Sequence, residues 1–271
     1  MLQKINGIDY FYQVSGEGEP IVLLHGFTGD SSTWDNIHLG GAFQKITIDI
    51  LGHGKTESPL DSKRYSMNNV AEDIATILNQ LSVKQAHILG YSMGGRLALS
   101  FAMKHPNRVR SLLLESSSPG LETKVERKNR IIQDEKLCKM IHDEGIAKFV
   151  DYWERIPLFE SQQLLSIEIR NRIRNQRLKN NPIGLMNSLR GMGTGVQPSW
   201  WDKLDQLTMP VLLMCGELDE KYCVLAQRMK ELILHANLVE FSGLGHAIHV
   251  EDPGKFDTIV KNFLLNIKKE G

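Results

Sequence analysis

Serine 92 lies in the stretch ILGYSMGGRLALS, residues 88–100, as Gly90-x-Ser92-x-Gly94. Residues without side chains on either side allow a turn tight enough to lift the hydroxyl clear of the backbone as a nucleophile. The hydroxyl then needs a histidine to take its proton, and the histidine needs a carboxylate to set its tautomer. In a strand–turn–helix architecture the expected chain order is serine, acid, histidine. Downstream, VLLMCGELDE offers Asp219, with Glu217 two residues earlier as the runner-up. FSGLGHAIHVEDP offers His246 in a glycine-flanked turn, with His249 as the runner-up. His38, His87, His105, His142 and His235 read as structural. An oxyanion hole needs two backbone N–H groups converging on one point. Met93, directly after the serine, supplies one, and Phe27 in the loop HGFTGDSSTW supplies the other, leaving His25 as a loop-shaping residue. Arg96 is the unexpected member of the set. It follows Ser92 by one helical turn, so it can line the same cleft, yet cleavage of a neutral ester has no use for a cation there.

The elements that must carry these residues are legible as apolar runs alternating with helical periodicity, the pattern of a mostly parallel sheet wrapped by helices. Strands are expected at 8–14, 20–27, within 44–54, at 85–92 and within 108–118. Val70, Ile74, Ile77, Leu78 and Leu81 form one face of a helix over 70–81. Residues 120–200 hold no convincing strand and are rich in charged helix formers. The strand pattern returns at 209–220 and 236–253, and a helix over 256–267 closes the chain. The expected organisation is a core over 1–119, a helical cap over 120–200 and the rest of the core over 201–271. An insertion placed between strands lies near their carboxyl ends, where ligands bind.

Composition narrows the function. The 271 residues carry 32 basic and 32 acidic side chains, so no global charge points to nucleic acid or an anionic membrane. No apolar run is long enough to span a bilayer and no signal-peptide core opens the chain. Cys138, Cys215 and Cys223 are odd in number and at no metal-ligand spacing, and they read as reduced thiols of a cytoplasmic protein. No metal or cofactor is expected, and the oligomeric state is left open.

Together LHGF, DILGHG, GYSMGG, GELD and GHAIHVEDP resemble the α/β-hydrolase superfamily over nearly the whole chain. YSMGGR, LLLESSSPGL and LRGMGTGVQPSWW further resemble the 2-succinyl-6-hydroxy-2,4-cyclohexadiene-1-carboxylate synthases of menaquinone biosynthesis. That family is a lyase on a hydrolase fold. The resemblance implies α-proton removal from a tricarboxylate, 2-succinyl-5-enolpyruvyl-6-hydroxy-3-cyclohexene-1-carboxylate, with expulsion of pyruvate and no cofactor. It also implies substrate contacts at Arg96, at Arg130 with Arg127 second, at Arg177, and at Tyr91 and Trp153. Arg170, Arg172 and Arg174 read as a solvated helix face, and Arg190 has no assigned role. Two other readings use the same residues. One is a serine hydrolase, either a carboxylesterase or a carbon–carbon bond hydrolase, acting on an anionic substrate. The other is a non-catalytic ligand-binding protein.

Overall fold

The computed structural model describes residues 1–270, with side chains through position 267. Eight strands form one sheet: β1 (Leu2–Ile5), β2 (Ile8–Ser15), β3 (Glu19–Leu24), β4 (Phe43–Ile48), β5 (Ala86–Tyr91), β6 (Val109–Glu115), β7 (Val211–Gly216) and β8 (Ala236–Phe241). Their spatial order is β1-β2-β4-β3-β5-β6-β7-β8. β1 and β2 are antiparallel and β2 runs antiparallel to β4, while β4 through β8 are all parallel. β1 escapes sequence reading because only Ile5 of its four residues is buried. It exists through a two-residue turn in which Asn6 and Gly7 both take positive φ, 47° and 88°. β5 and β7 each have a strand on both sides and are buried at every position, which is why they read as continuous apolar runs.

Helices cover both faces. α1 (Met67–Gln80) starts where the Ser66 side chain caps the Asn69 N–H, and it buries Val70, Ala71, Ile74, Ile77 and Leu78 along one stripe. α2 (Met93–Lys104) follows β5 directly and is buried through its first ten residues. Between β6 and β7 lie three helices, α3 (Lys124–Trp153), α4 (Ile167–Leu178) and α5 (Pro182–Met192), with 3-10 segments at Pro157–Leu164 and Trp201–Gln206. A reciprocal Thr123–Glu126 capping box opens α3, and Gly145, at φ 83° and ψ 170°, breaks it into two arms. The arms and α5 share an apolar cluster of Cys138, Ile141, Phe149, Val150, Leu185 and Leu189, distinct from the two clusters that flank the sheet. α6 (Glu220–Leu232), α7 (Ile248–Glu251) and α8 (Pro253–Glu270) complete the chain. No helix among the described residues is long and apolar enough to cross a membrane.

Candidate active site

The turn between β5 and α2 holds Ser92 at φ 51° and ψ −109°, a conformation that L-residues rarely adopt. Close packing enforces it. A side chain on Gly90 would run into the Gly94 carbonyl, and one on Gly94 into the Leu24 and His25 carbonyls of the neighbouring strand end. The Ser92 N–H donates to the Glu115 carbonyl at 2.9 Å, tying the turn to the end of β6.

Ser92, Asp219 and His246 come together at the carboxyl ends of β5, β7 and β8. Asp219 Oδ2 lies 2.6 Å from His246 Nδ1, and His246 Nε2 lies 3.0 Å from Ser92 Oγ. With a carboxylate facing Nδ1, the neutral ring carries its proton there, so Nε2 accepts from the serine hydroxyl. Asp219 and His246 are 8% and 1% exposed, which keeps water from competing for these bonds. Tyr222, Tyr91 and Phe159 surround the imidazole at ring-centroid distances of 4.7, 5.3 and 6.0 Å. The runners-up lie elsewhere. Glu217 accepts from Ser242 Oγ and the Gly243 N–H in an exposed turn. His249 is buried against Glu115, whose two carboxylate oxygens lie 2.9 Å from its Nδ1. His25 donates from Nδ1 to the Gly26 carbonyl at 2.8 Å and accepts the Ile50 N–H at Nε2, holding the loop that carries Phe27.

A cavity of about 630 Å³ opens on Ser92, walled by Phe27 and Met93 below and by α3 and α5 above. Arg96, Arg130, Tyr91 and Trp153 all line it. Arg96 is 9% exposed, and its Nη1 donates to the Met192 carbonyl at 2.7 Å and to Gln197 Oε1. Among the described residues no carboxylate comes within ion-pair distance of it. Burial, with repulsion from Arg130 second, pushes its pKa down from 12.5 to about 10, so the guanidinium remains charged at neutral pH. The Trp153 ring stacks on Phe149 at 5.5 Å, and its buried Nε1–H has no acceptor among the described residues.

Two arginines lie differently from the expectation. Arg127 does not line the cavity. Its guanidinium is spent on the backbone carbonyls of Gly195 and Gln197, at 3.1 and 3.0 Å, because the 193–198 segment folds back over α3. Arg177 lines an adjoining cavity of about 460 Å³ that shares Phe27, Tyr91 and Phe159 with the first as a common wall. Its guanidinium lies 4.7 Å over the Phe159 ring and donates to Gln162 Oε1 at 3.3 Å. Of the other arginines between β6 and β7, Arg174 pairs with Asp151 and Glu154, and Arg190 pairs with Glu135.

Sequence reading missed Tyr222 and Asp134, which both line the cavity. Each had a spacing signal: Tyr222 follows Asp219 by one helical turn, and Asp134 follows Arg130 by four residues on α3. For metals, Cys215, Cys223 and Glu240 bring two thiols and a carboxylate within 4.8 Å of one another, but none of them lines the cavity. Burial pushes the pKa of both thiols up, which disfavours the thiolate a metal would need.

A family model for the alpha/beta hydrolase fold matches residues 19–253. A Bacillus subtilis protein provisionally named 2-succinyl-6-hydroxy-2,4-cyclohexadiene-1-carboxylate synthase is 48% identical over 94% of this chain and 95% of its own. The Photorhabdus laumondii protein of the same name is 29% identical, over 92% and 87% of the two chains. The solved structure of MenH from S. aureus superposes with a TM-score of 0.91 at 36% identity, covering 95% of this chain and 98% of that one. The chain therefore belongs to the alpha/beta hydrolase fold family and, within it, to the 2-succinyl-6-hydroxy-2,4-cyclohexadiene-1-carboxylate synthases.

Proposed function

We propose that the protein eliminates pyruvate from 2-succinyl-5-enolpyruvyl-6-hydroxy-3-cyclohexene-1-carboxylate to give 2-succinyl-6-hydroxy-2,4-cyclohexadiene-1-carboxylate in menaquinone biosynthesis. It is a carbon–oxygen lyase on a hydrolase fold, working in the cytoplasm, where its free cysteines stay reduced. The observation that carries this reading is Arg96, a buried guanidinium without a carboxylate partner in the cavity that opens on Ser92. A neutral ester would leave that cation uncompensated, whereas a substrate carboxylate supplies the missing charge.

The chemistry follows from the hydrogen-bond chain. As His246 Nε2 draws the Ser92 proton, Oγ becomes basic enough to take the proton α to the succinyl ketone, and Asp219 offsets the growing charge on the imidazole. Charge then develops on the ketone oxygen, where the amides of Phe27 and Met93 serve as donors. The electron pair moves into the ring and expels the enolpyruvyl oxygen as the enolate of pyruvate. That enolate takes up a proton at its methylene carbon to become pyruvate, which balances the proton removed from the ring. Arg96, Arg130, Tyr91 and Trp153 hold the substrate so that the departing bond aligns with the developing carbanion. The segment spanning α3–α5 acts as the cap over this site.

The test is pyruvate release from the enolpyruvyl substrate generated enzymatically in place, run beside hydrolysis of a p-nitrophenyl ester. Rapid elimination with little ester turnover, abolished by Ser92→Ala, is expected. Full elimination by Ser92→Ala, or ester cleavage without elimination, would overturn the assignment.

A further inference from the structure

Arg130 is held in a way that none of its neighbours on the helical segment is. Asp134, one turn further along α3, accepts from Arg130 Nε at 2.7 Å. Neither terminal amino group of Arg130 has a partner among the described residues. By contrast, Arg127 is engaged through Nε and Nη2 by backbone carbonyls, and Arg190 through Nε and Nη2 by Glu135.

The acceptor is also costly where it stands. Asp134 is 4% exposed, and burial pushes its pKa up against the pull of Arg130. It lines the same cavity as Arg96 and Arg130, so its charge repels any anion that enters. Backbone carbonyls hold Arg127 without that penalty. The fold nevertheless secures the carboxylate from two sides. α3 provides the side chain, and Gly193, at the end of α5, leaves it room, since a Cβ there would come within 2.3 Å of the Leu189 carbonyl and 2.6 Å of Asp134 Oδ2.

We infer that Asp134 is the positioning residue for Arg130, fixing the guanidinium through Nε so that both terminal amino groups stay available to a substrate carboxylate. A guanidinium fixed at one edge presents its other two nitrogens in a plane matched to a carboxylate, and little rotamer freedom is lost when the ligand arrives. The inference rests on the proposed elimination reaction.

Steady-state pyruvate release from the enolpyruvyl substrate tests it, with thermal unfolding of each variant as the folding control. Asp134→Ala should raise KM about tenfold and leave kcat little changed, because the proton-abstracting groups are untouched. Asp134→Asn, which keeps an oxygen acceptor for Nε, should return KM to near the wild-type value. In an Arg130→Met background, Asp134→Ala should give no further rise in KM, and relief of the unpaired carboxylate's repulsion lowers it if anything. Should Asp134→Ala not fold, Asp134→Leu, which fills the space without an acceptor, carries the same expectations. An unchanged or lowered KM in Asp134→Ala overturns the inference, as does an equal rise with and without Arg130. Wild-type protein that releases no pyruvate would bring down the functional reading itself, and this inference with it.

Discussion

Replacing Arg96 with methionine separates what the guanidinium does for the fold from what it does for the ligand. A pKa lowered from 12.5 to about 10 corresponds to about 3 kcal/mol against holding that charge in the folded chain at neutral pH. Methionine keeps most of the stem volume and removes this penalty. It also strands two acceptors, the Met192 carbonyl and Gln197 Oε1, at about 1–2 kcal/mol each. The two contributions nearly cancel, so the melting temperature of the ligand-free variant should stay within about 5 °C of wild type. Binding has no such compensation. A substrate carboxylate left unpaired in the cavity costs about 3–5 kcal/mol, which raises KM by between about two and about three and a half orders of magnitude. Pyruvate release, read through a lactate dehydrogenase couple, gives KM, and circular dichroism gives the melting curve. A variant that melts far below wild type with KM unchanged would make Arg96 a structural strut and refute the reasoning.

Two further outcomes follow from the surroundings of the site. Burial holds His53 neutral and pushes its pKa down from 6.5 to about 3, with repulsion from His25 second. The folded value lies below the unfolded one, so this contribution is fully present above about pH 6.5 and is lost as pH falls toward 3. The loss is about 1.4 kcal/mol per pH unit, or about 2 kcal/mol by pH 5. Urea unfolding of wild type and His53→Asn at both ends of that range should show a shallower pH dependence in the variant, and parallel curves would rule His53 out as the source. At the serine turn, Gly94→Ala drives a methyl group into the Leu24 and His25 carbonyls, so it should cost more than about 3 kcal/mol and abolish elimination. An unaltered unfolding midpoint and rate would show that the turn is not crowded in this way.

The mutual placement of Ser92, Asp219 and His246 was legible because Ser92 and Asp219 each follow a continuous apolar run, the buried strands β5 and β7. His246 follows the shorter-patterned edge strand β8, of which only Phe241 is buried. Residues at the same end of neighbouring parallel strands must meet. The arginines were less legible for a matching reason. Arg127 and Arg130, three apart on α3, share a face, and nothing local distinguishes them. They are separated only when the chain near 195 returns to cover Arg127 with carbonyls, a contact 68 residues away in sequence. Arg177 was readable as a cation on a helix, but which side of the Phe27–Tyr91–Phe159 wall it occupies depends on how α4 docks. β1 was invisible to periodicity because three of its four side chains face solvent, and only the Asn6–Gly7 turn betrays it.

Arg96 has one more consequence, which concerns how such a molecule can be altered. Ser92, Asp219 and His246 follow strands of the sheet, while much of the cavity roof, including Arg130 and Trp153, belongs to the stretch between β6 and β7. On that division the roof is the part to graft from a relative over an unchanged Ser92, Asp219 and His246. Arg96 forbids a clean swap. It belongs to the serine turn's own helix, yet its donors are stitched to Met192 and Gln197, at the far end of the roof. A graft ending before residue 197, or one lacking acceptors there, leaves a bare cation beneath the new roof. Roof and rivet must be replaced together.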